Sequence, residues 1–171
     1  MTSTTAETTG TIRVPDQVCT FWVDGLFLGI AVEQVQEVLR GQPMTPVPRA
    51  PDAVRGLINL RGQIVAAVDL RRRLGLSLDG QDEPLNVIVN SHGEVVSLLV
   101  DDIGDVLDTQ GLSVVPVPTN LPAPVLEVVT GALPLPGSIL LLVDADHAID
   151  ASAAPALAVL PQPDHPNGGT P

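Results

Sequence analysis

Short apolar runs separated by turn residues open the ordered part of the chain. Residues 18–23 and 26–30 are rich in apolar and β-branched side chains, and they flank the dipeptide Asp24-Gly25. Both residues of such a dipeptide tolerate the positive φ that a tight hairpin turn requires. The pattern therefore predicts two antiparallel strands joined by a hairpin.

A third apolar pattern follows the hairpin. Val32, Val35 and Leu39 recur at helical spacing with polar residues between them. Arg40-Gly41 then supplies the basic last turn and the glycine that commonly end a helix. The spacing predicts one short helix over 32–39.

Apolar runs continue to alternate with turn residues along the rest of the chain. Further hairpins are predicted from the paired runs at 54–59 and 63–70, 85–89 and 95–100, and 131–135 and 138–143. Single strands are predicted at 103–107 and 112–117, and helical turns at 71–76, within 119–129 and at 145–149. Many short strands at roughly 8- to 12-residue spacing favour an all-β barrel or sandwich.

Composition divides the chain into three parts. The lead at 1–15 is Thr-rich and polar, and the tail at 151–171 is rich in Ala, Pro and Gly, so both are predicted to be disordered. One folded region is predicted over 16–150. Within it, the polar connection at 77–84 is the predicted boundary between two subdomains.

Charge is distributed unevenly along the chain. There is no lysine, all eight arginines lie between Arg13 and Arg73, and only acidic charges follow. A net charge of −12 opposes non-specific binding to nucleic acid or to anionic lipid, because both carry phosphate charges. No nucleic-acid partner is therefore predicted.

Cysteine and hydropathy indicate the compartment. Cys19 is the single cysteine, so no internal disulfide can form, and its apolar neighbours predict a buried thiol. The first residues lack the basic start and apolar run of a signal peptide, and no stretch of about 18 apolar residues is present. We expect a cytoplasmic protein without direct membrane insertion.

The chemistry of catalysis and metal binding has little support. The sequence has no Gly-x-Ser-x-Gly elbow, no lysine for a phosphate-binding loop and no ligand-like histidine spacing, so no catalytic residue, cofactor or metal is predicted. Two clusters of charged residues leave alternative functions open. Asp101, Asp102, Asp105 and Asp108 would suit a metal-dependent hydrolase, although strand alternation places Asp101 and Asp102 on opposite faces. The arginine run at 71–73 is better explained as a solvated turn than as a nucleic-acid site.

One segment carries a family resemblance. The sequence V-R-G-L-I-N-L-R-G at 54–62 is followed by Q-I-V-A-A-V-D-L-R at 63–71. This arrangement resembles the CheW-like domain of bacterial chemotaxis, in which an N-L-R-G turn links two apolar strands ending in V-D-L-R. The resemblance extends to F-L-G-I at 27–30, V-Q-E-V at 35–38, V-D at 100–101 and the hairpin from Gly131 to about Asp144.

The resemblance implies a fold and a role. It implies two intertwined, SH3-like, five-stranded β-barrels with one or two short helices and a hydrophobic groove between the barrels. The first barrel would span about 16–80 and the second about 83–150, with strand exchange between them left open. It also implies a non-catalytic adaptor, monomeric when isolated, that joins the regulatory domain of a CheA-type histidine kinase to the cytoplasmic tips of methyl-accepting chemoreceptors. Such an adaptor is recruited to receptor arrays at the inner face of the membrane.

The same resemblance implies the contact residues. Carried over by position, eight residues are expected to form the partner-binding surface: Val35, Glu37, Gly56, Leu57, Ile58, Asn59, Arg61 and Gly62. An ion pair between Glu37 and Arg61 is expected to hold the predicted helix against the turn. A second hypothesis keeps this fold but assigns it to a coupler of twitching motility or of another chemosensory-type pathway.

Overall fold

The computed structural model describes residues 14–79 and 83–149, and this part of the chain is mostly β, as the sequence predicts. The strands are β1 (Gln17–Val23), β2 (Leu26–Ala31), β3 (Val35–Leu39), β4 (Val54–Leu60), β5 (Gln63–Asp69), β6 (Leu85–Ser91), β7 (Glu94–Val100), β8 (Asp102–Asp108), β9 (Val129–Leu135) and β10 (Ser138–Val143). The helical turns are α1 (Leu70–Arg73), α2 (Ala123–Val128), α3 (residues 145–149) and a 3₁₀ turn at Val32–Gln34. The predicted tail at 151–171, and all but the last two residues of the lead at 1–15, lie outside the described residues.

These strands form two five-stranded sheets, which confirms the expected architecture. Barrel A has the strand order β8-β1-β2-β10-β9, and barrel B has the order β3-β6-β7-β5-β4. In each sheet, the segment that follows one edge strand forms an isolated bridge to the opposite edge strand. Thr45 bridges Leu57 in barrel B, and Val115 bridges Ala132 in barrel A. The bridges close the two sheets into small barrels.

The barrels do not follow the predicted division into 16–80 and 83–150. Barrel B is one continuous stretch, from β3 to β7, inserted between β2 and β8 of barrel A. Each barrel contains one parallel pair, β2 with β10 and β5 with β7. Parallel neighbours cannot be joined by a tight hairpin, so each of these pairs brings together strands that are far apart in the sequence.

The apolar core has three parts. A small cluster fills barrel A around Val18 and Leu140, and another fills barrel B around Ile58 and Ile88. The largest cluster lies between the barrels, because it includes Phe21 and other residues of barrel A together with residues of β5, β6 and β7 from barrel B. This shared core packs the outer wall of one barrel against that of the other.

The two halves of the chain repeat one structural plan. Each half contains a hairpin, a single bulged strand, a second hairpin and a short helix. The first hairpins turn at Asp24-Gly25 and at His92-Gly93, with closely similar positive φ angles. The second hairpins begin with V-x-G at 54–56 and 129–131 and end with V-D at 68–69 and 143–144. By this plan β3 is equivalent to β8, and the β4–β5 hairpin is equivalent to the β9–β10 hairpin.

The predicted helix over 32–39 is wrong. The structure has a 3₁₀ turn at Val32–Gln34, and the following residues form β3, which pairs with β6. No side chain caps the start of the turn. A bulge between Val35 and Glu37 shifts the strand's alternation, so its apolar spacing imitates that of a helix.

Most of the other predicted elements are confirmed within a residue or two. The exception is the strand at 112–117, where Val115 forms only the isolated bridge to Ala132. Pro116 and Pro118 have no backbone N–H to donate, so a longer ladder cannot form there. The helical turn after β5 begins at Leu70, because the Asp69 carboxylate accepts a hydrogen bond from the backbone N–H of Arg71 (3.0 Å).

Arg71 joins the two barrels. Its Nε and Nη2 donate to the Asp101 carboxylate at 2.9 and 2.7 Å, and its Nη1 donates to the Ser77 carbonyl at 2.7 Å. The backbone N–H of Asp24 donates to the same Asp101 carboxylate at 2.6 Å. This carboxylate therefore connects the end of barrel B to the first hairpin of barrel A. Its hydrogen bond raises the pKa of the Arg71 guanidinium.

Candidate functional site

A bidentate ion pair stands at the closing edge of barrel B. Arg61 Nη1 donates to Glu37 Oε1 and Arg61 Nη2 donates to Glu37 Oε2, each at 2.7 Å. Glu37 lies on β3, and Arg61 is the first residue of the turn between β4 and β5. The pair therefore spans the two edges of the sheet, on strand β3 rather than on the helix that was expected. The Arg61 side chain stays 71% exposed, so the guanidinium is available to a partner.

The turn fixes the direction in which Arg61 leaves the strand. Arg61 and Gly62 have φ angles of 52° and 87°, as a hairpin turn with two left-handed residues requires. The Asn59 side-chain oxygen accepts a hydrogen bond from the Gly62 backbone N–H at 2.8 Å. These features fix the backbone from which the Arg61 side chain extends.

Gly56 allows the closing bridge of barrel B to form. The backbones of Thr45 and Leu57 exchange two hydrogen bonds of 2.8 Å beside it. A Cβ added to Gly56 would lie 2.8 Å from the Thr45 carbonyl oxygen, closer than real Cβ atoms approach backbone. The absence of a side chain at Gly56 therefore allows the two backbones to approach, and Gly56 itself presents no side chain to solvent.

Strand alternation separates the other predicted contact residues. Leu57 is half-buried and Asn59 is exposed on the outward face of β4, whereas Ile58 is 2% exposed and fills the interior of barrel B. Val35 packs against the core between the barrels. The structure thus brings Glu37, Arg61 and their outward neighbours together, and it places Ile58 away from the surface.

Two barrels of this topology and this arginine turn correspond to a known family. A family model for the CheW-like domain matches residues 17–153. The chain belongs to the CheW-like domain family. The match includes all strands of both barrels and both residues of the Glu37–Arg61 ion pair.

Individual relatives show how similar this chain is to known proteins. The chemotaxis protein CheW of Klebsiella aerogenes is 33% identical over 124 residues, which are 72% of this chain and 75% of that protein. The CheW of Rhizobium meliloti is 30% identical over 118 residues, 68% of this chain and 76% of that protein. Protein FrzA of Myxococcus xanthus is 35% identical over 104 residues, 61% and 62% of the two chains. The crystal structure of the scaffolding protein TtCheW from Thermoanaerobacter tengcongensis matches with a TM-score of 0.70 at 23% identity, over 82% of this chain and 96% of that one, and confirms the fold.

Two further residues of this CheW-like chain are exposed on the strands that carry the site. Val38 follows Glu37 on β3 and faces the opposite side of that strand, and Ile64 lies opposite Asn59 on the outward face of β5. Each is 40% exposed, which is high for a large apolar side chain in a strand. We call Glu37, Leu57, Arg61 and Ile64 the arginine surface. The alternation of side chains along a strand would have predicted that Val38 is exposed. The prediction of a helix over residues 32–39 gave no such indication.

Structural contacts engage one of the four clustered aspartates and all three arginines of the 71–73 run. Asp101 is engaged by Arg71, and no group of three or more metal-ligating side chains occurs in residues 14–79 and 83–149. Each arginine of the 71–73 run pairs with a carboxylate, as with Arg72 and Asp52 at 3.3 Å and Arg73 and Glu127 at 3.5 Å. The Arg71 contact engages Asp101, and the three ion pairs speak against a phosphate-binding arginine cluster.

Two further expectations from the sequence concern the burial of Cys19 and the presence of membrane-spanning helices. Cys19 is buried, and its burial raises the pKa of the thiol, as expected of a small core residue. Among the residues described, no helix is long and apolar enough to span a bilayer.

The ion pair is expected to make stability depend on pH in the acid range. Hydrogen bonding from Arg61 holds the pKa of Glu37 below its ordinary value of 4.5. The pair's stabilisation is therefore complete above the unfolded-state pKa and is lost as pH falls through the lower folded-state pKa. Denaturation of wild type and Glu37→Gln at pH 7 and at pH 3 should give a stability difference that shrinks at pH 3. Glu94→Gln, an exposed change on β7, should show no such convergence, and a difference independent of pH would contradict this role of the pair.

Proposed function

We propose that this protein is a non-catalytic adaptor that couples a CheA-type histidine kinase to the cytoplasmic tips of chemoreceptors. The observation that carries the proposal is the exposed Arg61 paired with Glu37 within a CheW-like fold. Similarity to the chemotaxis proteins named CheW supports the pathway. The proposed place of action is the cytoplasm, at receptor arrays on the inner face of the membrane, with a monomer as the isolated form.

Coupling in this proposal depends on rigidity. The arginine surface stands on strands that are closed into a barrel, and Arg71 joins that barrel to its neighbour. A receptor segment that shifts against one barrel would therefore displace the whole body and with it the kinase contact. Val38 and Ile64 add exposed apolar area on the barrel that carries the charged pair, and interfaces commonly combine apolar and charged groups.

Arg61→Ala tests this proposal. The variant is expected to bind a receptor tip fragment about fivefold more weakly and to lower receptor-stimulated kinase activity, because it removes the charged group of the surface. Its melting temperature should change little, since exposed ion pairs contribute little to stability. Binding would be measured by calorimetry with purified cognate kinase and receptor fragment.

Arg40→Ala is the matched control for that experiment. Arg40 is also exposed, and its side chain forms no ion pair within the described part of the chain. The control should bind as wild type does. Unchanged receptor and kinase binding by Arg61→Ala would rule out the assigned role of the arginine surface.

A second candidate keeps the adaptor role in another pathway. The match to Protein FrzA of Myxococcus xanthus, a relative that is not named as a chemotaxis protein, is the observation behind this candidate, a coupler of twitching motility or of another chemosensory-type array. Identification of the kinase that co-purifies with this chain from its own cells would separate the two. A kinase encoded with chemotaxis receptors supports the first candidate, and one encoded with motility-pilus genes supports the second.

A further inference from the structure

An open cleft lies at one end of barrel A. Its volume is about 560 Å³, and it is lined in part by Gly29 of β2 and Leu142 of β10. Leu142 also belongs to the apolar cluster that fills barrel A, so the cleft opens onto the interior of that barrel. A cleft of this size has room for a small ligand or for a few side chains.

The polar side chains beside the cleft are largely paired within the chain. Gln34 Nε2 donates to Asp144 Oδ1 at 3.3 Å, and the Thr130 hydroxyl donates to the Leu142 carbonyl at 3.4 Å. Among the residues that the structure describes, the buried side-chain polar atoms without a hydrogen-bond partner belong to residues that do not line this cleft. A buried polar atom without a partner would favour a polar ligand, so this cleft suits an apolar one.

The chain itself contains a segment of matching character. Residues 156–160 read A-L-A-V-L between Pro155 and Pro161, and no residue from 151 to 163 carries a charge. Because the carboxylates of Glu33 and Asp144 lie at the cleft, an uncharged segment suits it better than an acidic one. Proline restricts its own backbone and that of the residue before it, which lowers the entropy lost when such a segment docks.

The described part of the chain ends within reach of this cleft. Asp144 lines the cleft, and the helical turn α3 ends five residues later, at Ile149. Five helical residues cover roughly 7 Å, and the seven residues from 149 to 156 span at most roughly 23 Å when extended. Residues 156–160, which lie outside the described residues, can therefore reach the cleft of their own molecule. The short connection gives them a local concentration on the order of millimolar.

We propose that residues 156–160 dock in the cleft of barrel A and act there as an intramolecular ligand. Their leucine and valine side chains enter the cleft and pack against Ala31 and Leu142. An apolar segment of another protein that binds there has to displace them, so the tail lowers the affinity of the cleft for such segments. The inference does not depend on the pathway proposed above.

Leu160→Asp in the isotope-labelled full chain tests the docking. The added charge is expected to release the segment and to shift the amide signals of Gly29, Thr130 and Asp144, because a charged side chain is costly to place in an apolar cleft. Gln162→Asp is the matched control, since it adds the same charge outside the apolar segment, and its cleft signals should match those of wild type. Unchanged cleft signals in Leu160→Asp, or equal changes in both variants, would overturn the proposal.

A peptide added in trans gives an independent readout. The probe is the capped peptide P-A-L-A-V-L-P, which copies residues 155–161. It is expected to bind Leu160→Asp saturably at the cleft and to bind wild type about fivefold more weakly, because the tethered segment competes with it. The absence of saturable binding to Leu160→Asp would refute the docking. Equal affinities for wild type and variant would also refute it, and would leave the cleft to a segment of another protein.

Dilution separates the tail of the same molecule from that of a second copy. An intramolecular contact leaves the cleft signals of wild type independent of protein concentration. Signals that approach those of Leu160→Asp on dilution would assign the contact to two copies of this chain and would overturn the intramolecular assignment.

Discussion

Alanine in place of Arg71 is expected to lower the free energy of unfolding by about 3 kcal/mol. The Arg71 side chain is only 8% exposed and forms a bidentate pair with Asp101. Its removal leaves the Asp101 carboxylate without a counter-charge and the Ser77 carbonyl without its hydrogen-bond donor. Poorly solvated polar groups without partners lower the free energy of unfolding. Urea denaturation of wild type and variant at neutral pH measures the loss.

The Arg71 prediction has a control in the same chain. Arg40→Ala removes the same charge from an exposed position, so its free energy of unfolding should stay within about 0.5 kcal/mol of wild type. If Arg71→Ala proved as stable as Arg40→Ala, the contact between the barrels would not depend on this arginine.

Gly56→Ala is expected to cost about 2 kcal/mol and to weaken partner binding, because it disturbs the closure of barrel B. The added methyl group would lie 2.8 Å from the Thr45 carbonyl oxygen and 3.2 Å from the carbonyl carbon. Both are backbone atoms held by the bridge to Leu57, so neither can move aside without breaking a hydrogen bond. Denaturant unfolding gives the stability, and calorimetry with the kinase and the receptor fragment gives the binding.

Gly41→Ala is the control for that substitution. A Cβ at Gly41 would meet its nearest atom, a Glu83 side-chain oxygen, at 3.6 Å, which is ordinary contact. This change should be neutral or slightly stabilising, since alanine restricts the unfolded chain more than glycine does. Similar losses at the two glycines would mean that the close approach to Thr45 does not matter.

Hairpins were the most predictable part of the fold. Asp24-Gly25, Arg61-Gly62 and His92-Gly93 all adopt left-handed turn conformations between apolar strands. Local conformational preference decides such turns, and local sequence therefore reveals them. The pairing of Glu37 with Arg61 was also expected, although that expectation came from the family resemblance and not from spacing.

Features that depend on tertiary packing were not predictable in this way. Val35 to Leu39 fits helical spacing, and only its ladder with β6 makes it a strand. Ile58 lies within the segment of strongest resemblance, yet the register of β4 turns it into the barrel interior. The repeat of β3 in β8 was hidden because the equivalent residues share little more than an acidic residue followed by V-L.

The insertion of barrel B within barrel A determines the order in which the chain can fold as the ribosome makes it. All strands of barrel B have been synthesised by Val100, whereas barrel A waits for β10, which ends at Val143. At a synthesis rate of about 5–20 residues per second, the first hairpin stays without its parallel neighbour for roughly 5–20 s. The strands that emerge first are thus the last to be enclosed, and nascent β1 and β2 are the segments most exposed to chaperones.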